Sequence, residues 1–228
     1  MKSTLDKLFQ HQQLSQQDAY NILTRIGKGD FNHSQIAAFL TVYLMRNISV
    51  EEVTGFRNAL LDLCLKIDLS DFNTIDVCGT GGDGSGTFNI STAVSFVVAG
   101  AGISVAKHGN RSISSKSGSS DVLHELGVDV QLNPELSEKA LNEIGIAFLF
   151  APLYHPAMKH VASIRKELEF RSIFNILGPL TNPAGVKRQM IGAFSDDTAR
   201  LMSEAIRLLE MEKVTFLCTN NQFDEITL

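Results

Sequence analysis

The sequence has few cysteines, no long apolar run and no leader-like N-terminus. Its three cysteines, Cys64, Cys78 and Cys218, lie far apart and form no CxxC pair. This spacing argues against a disulfide framework or a zinc site and predicts reduced thiols. No segment is apolar for long enough to span a membrane, and the N-terminal residues lack the apolar core of a signal peptide. We therefore expect a cytoplasmic protein that does not bind membranes.

The sequence also lacks an excess of basic residues. Its formal net charge is −5, with 20% charged and 44% hydrophobic residues among 228, which is ordinary for a globular protein. Broad, sequence-independent binding to nucleic acid requires surplus Lys and Arg that neutralise phosphates. We therefore expect no nucleic-acid partner, and any anionic ligand must meet a local basic cluster instead.

The first 70 residues show the periodicity of amphipathic helices. Ser15 with Asp18, and Ser49 with Glu52, have the spacing of helix N-terminal capping boxes. The apolar stripes predict helix packing and a core, and no catalytic residue stands out. We expect residues 1–70 to form a small helical domain that offers an interface.

From Thr74 onward short β-branched runs alternate with helix-length segments, a rhythm that predicts an α/β domain with a mostly parallel central sheet. The predicted strands are 74–78, 103–107, 128–132, 146–150, 189–194 and 214–218. The predicted helices between them are 90–101, 119–126, 134–144, 156–168 and 197–211. Ligands of such sheets bind beyond the carboxyl ends of the strands, so we expect the chemistry in the loops that follow them.

A glycine-rich loop, GTGGDGSGT, follows the first predicted strand at residues 79–87. Glycines let the backbone approach a ligand closely and leave N–H groups free for phosphate oxygens. The NIST segment, Asn89 to Thr92, then opens a helix whose N-terminus also favours an anion. Its side-chain oxygens suit phosphate or Mg²⁺. The loop predicts a phosphate site, and a plain strand-to-helix turn is the alternative.

The same loop matches the GxGxxG pattern of dinucleotide-binding folds from Gly79 to Gly84. That pattern needs an acidic residue at the end of the next strand, which would bind the ribose hydroxyls. Lys107 and His108 stand there instead, and a cation suits a second phosphate. A P-loop is also disfavoured because no Lys-Ser/Thr pair follows the glycines.

A second cluster, KHGNRSISSKSGSSD, occupies residues 107–121 directly after a predicted strand. Two lysines and an arginine lie among hydroxyls and glycines. The cations and hydroxyls of such a loop can bind a ligand that carries both a monophosphate and a diphosphate, and therefore several negative charges. The alternative is a solvated polar loop.

These segments resemble the signatures of the anthranilate phosphoribosyltransferase family. GTGGD and NIST alone indicate only the wider group shared with pyrimidine-nucleoside phosphorylases. KHGNRSISSKSGSSDVL and the run FLFAPLYHPAMKHVASIRKELEFRSIFNILGPLTNP, residues 148–183, are more specific. The likeness extends over essentially the whole chain. It implies transfer of the phosphoribosyl group of 5-phosphoribosyl 1-diphosphate to the amine of anthranilate.

The resemblance also implies roles for individual residues. The diphosphate and its metal would be held by Gly79, Gly82, Asp83, Thr87, Asn89, Ile90, Ser91 and Thr92. The remaining phosphate and the ribose would be held by Lys107, His108, Gly109, Asn110, Arg111, Ser112, Ile113, Ser114, Ser115 and Ser119. Lys107 and Asp83 would be catalytic. Gly79, His108, Asn110 and Arg165 would bind anthranilate, since a guanidinium fork matches a carboxylate.

Adjacent carboxylates near the end of the chain complete the implied site. The resemblance gives Asp224 and Glu225, with Ser91, the role of Mg²⁺ ligands, and Mg²⁺ prefers oxygen donors of this kind. The preceding Asn220-Asn221-Gln222 departs from the Gly-containing turn of the family, so the approach of this loop to the metal is open. His155 and His160 are expected to have packing or capping roles.

Other expectations follow from the resemblance and from the chain's length. Residues 1–70, with helices near 155–185 packed against them, are expected to form a homodimer interface. Residues 71–228 are expected to form the substrate-binding domain. Because the family usually continues beyond this point, we expect that domain to be C-terminally incomplete. A pyrimidine-nucleoside phosphorylase and a non-catalytic nucleotide- or nucleic-acid-binding relative stay open as alternatives.

Overall fold

The structure is a computed structural model that describes residues 1–81, 88–111, 117–221 and 223–226. Its N-terminal part is a group of helices: α1 (Lys2–Phe9), α2 (Gln16–Gly27), α3 (His33–Met45) and α4 (Val50–Asp62). The predicted caps are confirmed. The Ser15 hydroxyl accepts from Asp18 N at 3.1 Å, and Ser49 and Glu52 form a reciprocal capping box. These local bonds explain why α2 and α4 begin where they do.

The second part of the described chain contains a parallel five-stranded sheet. Its strands are β1 (Ile75–Gly79), β2 (Val105–Gly109), β3 (Ile146–Phe150), β4 (Arg188–Gly192) and β5 (Lys213–Leu217), in the order β3-β2-β1-β4-β5. Every described pair is parallel. The predicted fold class, a helical N-terminal region followed by an α/β domain, is confirmed.

Helices connect the strands on both sides of the sheet. They are α5 (Ile90–Gly100), α6 (Ser119–Glu125), α7 (Pro134–Ile144), α8 (Ala151–Tyr154), α9 (Lys159–Leu168), α10 (Ile173–Leu177) and α11 (Asp196–Ile206). Helix α9 packs against α2 and α3, and α10 packs against α4. One apolar core therefore runs from the N-terminal helices through α9 and α10 to β1 and β4. Among the described residues, no helix is long and apolar enough to cross a membrane.

The predicted strand at 128–132 is wrong. Gly127 ends the preceding turn with φ +79°, and the Asp129 carboxylate then accepts from Gln131 N at 2.8 Å. This local side-chain bond competes with strand pairing, and of these residues only Val130 enters a core cluster. Two helix predictions were also too long. Residues 156–158 form a 3₁₀ turn before α9, and α11 ends at Ile206 rather than at 211.

The order of the strands creates a switch point beside β1. The chain moves outward from β1 to β2 and β3, and then crosses back to β4 on the other side of β1. Strands β1 and β4 pair over their whole length, and Thr80 N donates to Gly192 O at 2.8 Å just beyond them. Open α/β sheets bind ligands in the crevice at this position.

A network of buried charges around Glu52 and Arg46 connects segments of the helical part. The Glu52 side chain is fully buried and pairs with Arg46, whose side chain is 6% exposed. Glu52 also accepts from Leu14 N at 2.9 Å, Ser49 N at 2.9 Å and the Tyr43 hydroxyl at 3.2 Å. Donors from several segments thus converge on one carboxylate, which is the condition under which a buried charge is tolerated.

Candidate active site

Strands β1 and β2 are joined by side chains at their carboxyl ends. Ile75 pairs with Val105 at the start of the two strands. Further along, the Lys107 ammonium donates to Val77 O, and the Asp76 carboxylate accepts from His108 N at 3.2 Å. Polar side chains therefore enter the seam between two buried strands, directly below the switch point.

Lys107 is a buried cation on the α5 side of the sheet. Its side chain is 3% exposed, and its ammonium lies 3.3 Å from the Ser91 hydroxyl in the first turn of α5. Burial lowers the pKa of Lys107, while the charges of Asp76, Cys78 and Glu225 act in the opposite direction. The hydrogen bonds of Lys107 to a carbonyl and a hydroxyl leave its charge available to an anion.

The first turn of α5 stands beside Lys107. The Asn89 side chain caps it and accepts from Thr92 N at 3.1 Å and from the Ser91 hydroxyl at 3.2 Å. Ile90 is the first residue of the helix, which is 11 residues long. The N-terminal N–H groups of such a helix and its dipole both favour a bound anion.

The end of β2 lies close to the start of α6. A Cβ on Gly109 would lie 2.6 Å from the Phe148 ring, so a side chain there would collide with β3. The carbonyl of the next residue, Asn110, accepts from Ser119 Oγ and Ser120 N, each at 3.3 Å. The guanidinium of Arg111 lies 5.9 Å from the centre of the Phe150 ring. The hydrogen bonds of the Asn110 carbonyl therefore hold the end of β2 against the first turn of α6.

His108 is a neutral, buried imidazole on the opposite face from Lys107. Its Nδ1 lies 3.2 Å from Gly178 O, and because a carbonyl only accepts, Nδ1 carries the proton. Burial lowers the pKa of His108 to about 3, with a further contribution from His155, whose ring centre lies 5.1 Å away. Among the described residues, His108 Nε2 has no hydrogen-bond partner. It therefore presents an acceptor.

The two remaining histidines named from the sequence have structural surroundings. His155 is buried, and its Nε2 lies 2.9 Å from Thr181 O. The His160 ring lies against Gly29, where a Cβ would approach it within 2.8 Å. Both positions agree with packing roles.

Arg165 lies on α9 with its guanidinium 5.2 Å from the centre of the Phe174 ring. Burial lowers its pKa to about 10, and within the described ranges no carboxylate pairs with it. Asn175, next to Phe174 on α10, donates to Thr80 O at 3.4 Å. Helix α10 therefore links the Arg165 side of the site to the end of β1.

The segment that carries Asp224 and Glu225 covers the switch point. A Cβ on Gly79 would lie 2.9 Å from Asp224 Oδ2, and the Asp224 backbone packs directly on Gly192. Thr219 anchors the segment, since its backbone pairs with Phe223 and its hydroxyl donates to Glu225 O at 2.7 Å. The absence of a side chain at Gly79 is what allows this close approach.

The described part of the predicted site gathers at one edge of the sheet. The residues found there are Gly79, Asn89, Ile90, Ser91, Thr92, Lys107, His108, Gly109, Asn110, Arg111, Ser119, Asp224 and Glu225. Arg165 lies on α9 and contacts the Phe174 ring of α10, and the neighbouring Asn175 donates to Thr80 O just beyond β1. The predicted residues Gly82, Asp83, Thr87, Ser112, Ile113, Ser114 and Ser115 lie outside the described residues.

Sequence reasoning missed several residues that supply hydrogen bonds beneath this edge: Asp76, Asn175, Gly178 (through its carbonyl), Asn182 and Gln189. Four of them contact one another or His108, and Asn175 contacts Thr80. Asn175, Gly178 and Asn182 lie in the FNILGPLTNP run, whose residues received no individual roles. A polar residue inside an otherwise apolar strand was the available signal for Asp76 and Gln189.

Comparison with known proteins identifies both parts of the chain. Residues 71–228 match the model of the glycosyl transferase family a/b domain, and residues 2–64 match the glycosyl transferase family helical bundle domain. The anthranilate phosphoribosyltransferase of Flavobacterium psychrophilum is 53% identical over 228 residues, which are 100% of this chain and 69% of that protein.

Solved structures show the same likeness. The anthranilate phosphoribosyltransferase of Thermus thermophilus has a TM-score of 0.84 and 38% identity, over 91% of this chain and 63% of that one. The Saccharomyces cerevisiae enzyme in complex with PRPP and Mg has a TM-score of 0.87 and 31% identity, over 99% and 67%. The chain spans roughly two thirds of the length of these relatives. It belongs to the anthranilate phosphoribosyltransferase family.

Proposed function

We propose that this chain carries the site that transfers the phosphoribosyl group of 5-phosphoribosyl 1-diphosphate to the amine of anthranilate, with release of diphosphate, in tryptophan biosynthesis. The proposal rests on two cations whose pKa is lowered by burial, Lys107 on β2 and Arg165 on α9. One suits a diphosphate and the other suits a carboxylate. The names of the family's relatives supply both substrates.

The phosphoribosyl diphosphate would bind along the ends of β1 and β2. The N–H groups and hydroxyls in the first turn of α5, from Asn89 to Thr92, would face its diphosphate beside Lys107. Residues between Gly109 and Ser119 would hold the 5-phosphate and the ribose. Charge-assisted bonds of this kind are stronger than neutral ones, and here the protein side is already partly desolvated.

Mg²⁺ is the cofactor that the site fits. Ser91, Asp224 and Glu225 would supply oxygen donors beside the diphosphate, and hard oxygen ligands are those Mg²⁺ prefers. Within the described ranges no cluster of three or more His, Cys, Asp or Glu could hold a metal by itself. That agrees with an ion bound partly through substrate phosphates, and it would supply charge neutralisation to the leaving diphosphate.

Anthranilate would bind between Arg165 and the end of β2. The Arg165 guanidinium would take its carboxylate in a bidentate way, and the Phe174 ring would keep the guanidinium in place. Asn110 and Gly79 would line the path to the ribose. His108 Nε2 is buried and has no hydrogen-bond partner among the described residues, and we propose that it accepts a hydrogen bond from the amine and so directs the amine lone pair toward C1.

The reaction is a displacement at C1, in which the amine nitrogen forms a bond to carbon as the bond to diphosphate breaks, and the nitrogen then loses one proton to the released diphosphate or to water. An aromatic amine is neutral near pH 7 and needs no strong base to expose its lone pair. Catalysis then rests on orientation and on neutralising the charge of the departing oxygens, to which Lys107 contributes. Asp83 is proposed as a second catalytic residue on the strength of the family resemblance.

The test uses the intrinsic fluorescence of anthranilate. Mixing the protein with anthranilate, phosphoribosyl diphosphate and Mg²⁺ should quench the fluorescence, and omitting phosphoribosyl diphosphate should abolish the change. A parallel reaction with uridine or thymidine and inorganic phosphate should release no base. Release of base without loss of anthranilate would replace the proposal with a nucleoside phosphorylase.

We further propose that the protein is a cytoplasmic homodimer built on its helical part, with residues 1–70 and 71–228 as its two domains. Phe9, Leu44 and Met45, on α1 and α3, are 60%, 51% and 76% exposed, which is unusual for a solvated helix face. Light scattering should give a dimer that Met45→Lys weakens, whereas Leu208→Lys, at an exposed site near α11, should not. A monomeric wild type would refute the dimer.

A further inference from the structure

Asp76 lies at the centre of a buried hydrogen-bond network beneath the site. It is 0% exposed and occupies the second position of β1. Its Oδ1 accepts from His108 N at 3.2 Å, and its Oδ2 accepts from Asn182 Nδ2 at 2.9 Å and from Gln189 Nε2 at 3.5 Å. All three groups are donors, as an acceptor-only carboxylate requires.

Its partners are themselves tied to neighbouring backbone. Asn182 Nδ2 also donates to Ala106 O at 2.9 Å on β2, and its Oδ1 accepts from Ala184 N at 2.9 Å. Gln189 Nε2 donates to Pro179 O at 2.8 Å. The segment 178–182 is therefore fixed to β1, β2 and β4 through one carboxylate and two amides.

This segment carries the carbonyl that orients the His108 ring, since Gly178 O accepts from His108 Nδ1. Asp76 thus acts on His108 from two directions. Its Oδ1 accepts from the backbone N–H of His108. Its Oδ2 fixes the segment 178–182, whose Gly178 carbonyl orients the His108 ring. The free Nε2 is set in place only if both connections persist.

We propose that Asp76 is a positioning residue for the acceptor side of the reaction, which it serves by fixing the His108 ring against β1. The expected effect on anthranilate kinetics rests on the proposed function. The orientation of the His108 ring by Asp76 does not. Consecutive strand residues point to opposite faces, so Lys107 lies on the α5 side while His108 and the Asp76 network lie on the other. Loss of Asp76 should therefore harm anthranilate use more than phosphoribosyl diphosphate use.

Asp76→Asn is the first test, because it keeps the shape and removes one acceptor. Its new NH₂ group would face a donor, His108 N or Asn182 Nδ2, and Asn182 cannot turn over without losing both Ala106 O and Ala184 N. We expect kcat/KM for anthranilate to fall about 10- to 100-fold, as for a misplaced reacting group, with a smaller change in KM for phosphoribosyl diphosphate.

Glu52→Gln is the matched control. Its carboxylate is equally buried and accepts several bonds, but it lies in the helical part. At a temperature where both variants are folded, the control should keep wild-type kinetic constants. Equal constants for both variants would overturn the proposal, because Asp76 would then have only a structural role.

Imidazole ¹H–¹⁵N spectra give a readout that needs no turnover. Wild-type His108 should appear as a single neutral Nδ1–H tautomer, and Asp76→Asn should shift or mix its ring signals, whereas Glu52→Gln should leave them unchanged. Unchanged His108 signals in Asp76→Asn would refute the positioning role. If wild type consumed no anthranilate, the proposed function would fail, while these spectra would still decide the role of Asp76.

Gln189→Met serves if Asp76→Asn does not fold. It removes the donor to Pro179 O and one donor to Asp76 while keeping a side chain of similar length. We expect kcat/KM for anthranilate to fall by less than in Asp76→Asn, but still by more than the constants for phosphoribosyl diphosphate change. Equal losses toward both substrates, with wild-type His108 spectra, would overturn the inference.

Discussion

Buried charges are treated differently in the two parts of the molecule. In the helical part, the Glu52 carboxylate meets the Arg46 guanidinium and further N–H and O–H donors. At the carboxyl edge of the sheet, Lys107 bonds to a carbonyl and a hydroxyl, and Arg165 rests on the Phe174 ring. In the first network opposite charges pair with each other, although Arg46 Nε has no hydrogen-bond partner among the described residues; in the second, the cations contact neutral groups.

The difference distinguishes buried charges that stabilise the fold from buried charges that we propose bind substrates. Burial strengthens an electrostatic interaction, and it also makes a charge without a partner costly. The costs show in the lowered pKa values of Lys107 and Arg165. Such cations can attract an anionic ligand, and we propose that they bind the substrates.

The largest effect is expected at the buried pair of Glu52 and Arg46. Glu52→Gln leaves the Arg46 charge buried beside a weaker acceptor, and the free energy of unfolding should fall by about 3–5 kcal/mol. Urea denaturation measures it. Glu51→Gln, one residue earlier on the same helix and exposed, should change little. A small loss at Glu52 would mean that the network is not what holds the helices together.

The next effect concerns turnover. Lys107→Met should lower kcat by about 100- to 1000-fold, the range for removing one group that stabilises developing charge. Anthranilate fluorescence gives the rate, with Lys139→Met, at a 65%-exposed lysine on α7, as the control. Unchanged kcat in the Lys107 variant would remove its proposed part in neutralising the leaving group.

Arg165→Met should act mainly on anthranilate. Loss of a charge-assisted contact of about 1.5–3 kcal/mol should raise KM for anthranilate about 10- to 100-fold and leave KM for phosphoribosyl diphosphate nearly unchanged. Initial rates at varied concentrations of each substrate separate the two. Lys166→Met, at the exposed neighbour, controls for the charge of α9. A rise in KM for phosphoribosyl diphosphate alone would place Arg165 on the wrong side of the site.

The smallest effect is a pH dependence of stability. The pKa of His108 falls from 6.5 to about 3 on folding, so the unfolded chain binds a proton in this interval that the folded chain does not. Stability is therefore complete above pH 6.5 and declines as the pH falls toward 3. When the pH is lowered from 7 to 5, the free energy of unfolding of His108→Gln should fall by about 2 kcal/mol less than that of wild type. Equal losses in urea titrations would show that His108 charges freely in the folded protein.

Much of the fold could be predicted because local signals agreed with it. The strands at β1 to β5 are short β-branched runs, and Ser15, Ser49 and Asn133 have the capping patterns that the structure confirms. The prediction failed at 128–132, where the Asp129 carboxylate forms a turn that period and propensity do not reveal.

The site was predictable only where glycines and charges follow a strand. Motifs identified Lys107, Asn89 and Asp224, which the fold then gathers at one edge of the sheet. The role of Asp76 could not be read from the sequence, because its partner Asn182 lies 106 positions away and arrives only through the crossover from β3 to β4. The free Nε2 of His108 likewise depends on Gly178, a residue 70 positions distant.

The contrast between the two parts is tested most directly by the unfolding free energies of wild type and Lys107→Met, with and without phosphoribosyl diphosphate and Mg²⁺. Without ligand, loss of the buried ammonium and loss of its attraction to Asp76 and Glu225 act in opposite directions, so the difference between wild type and variant sets the baseline. With ligand, the free energy of unfolding of wild type should rise by more than that of the variant. If the ligand stabilised both proteins equally, Lys107 would not bind the diphosphate, and the account of this site would be wrong.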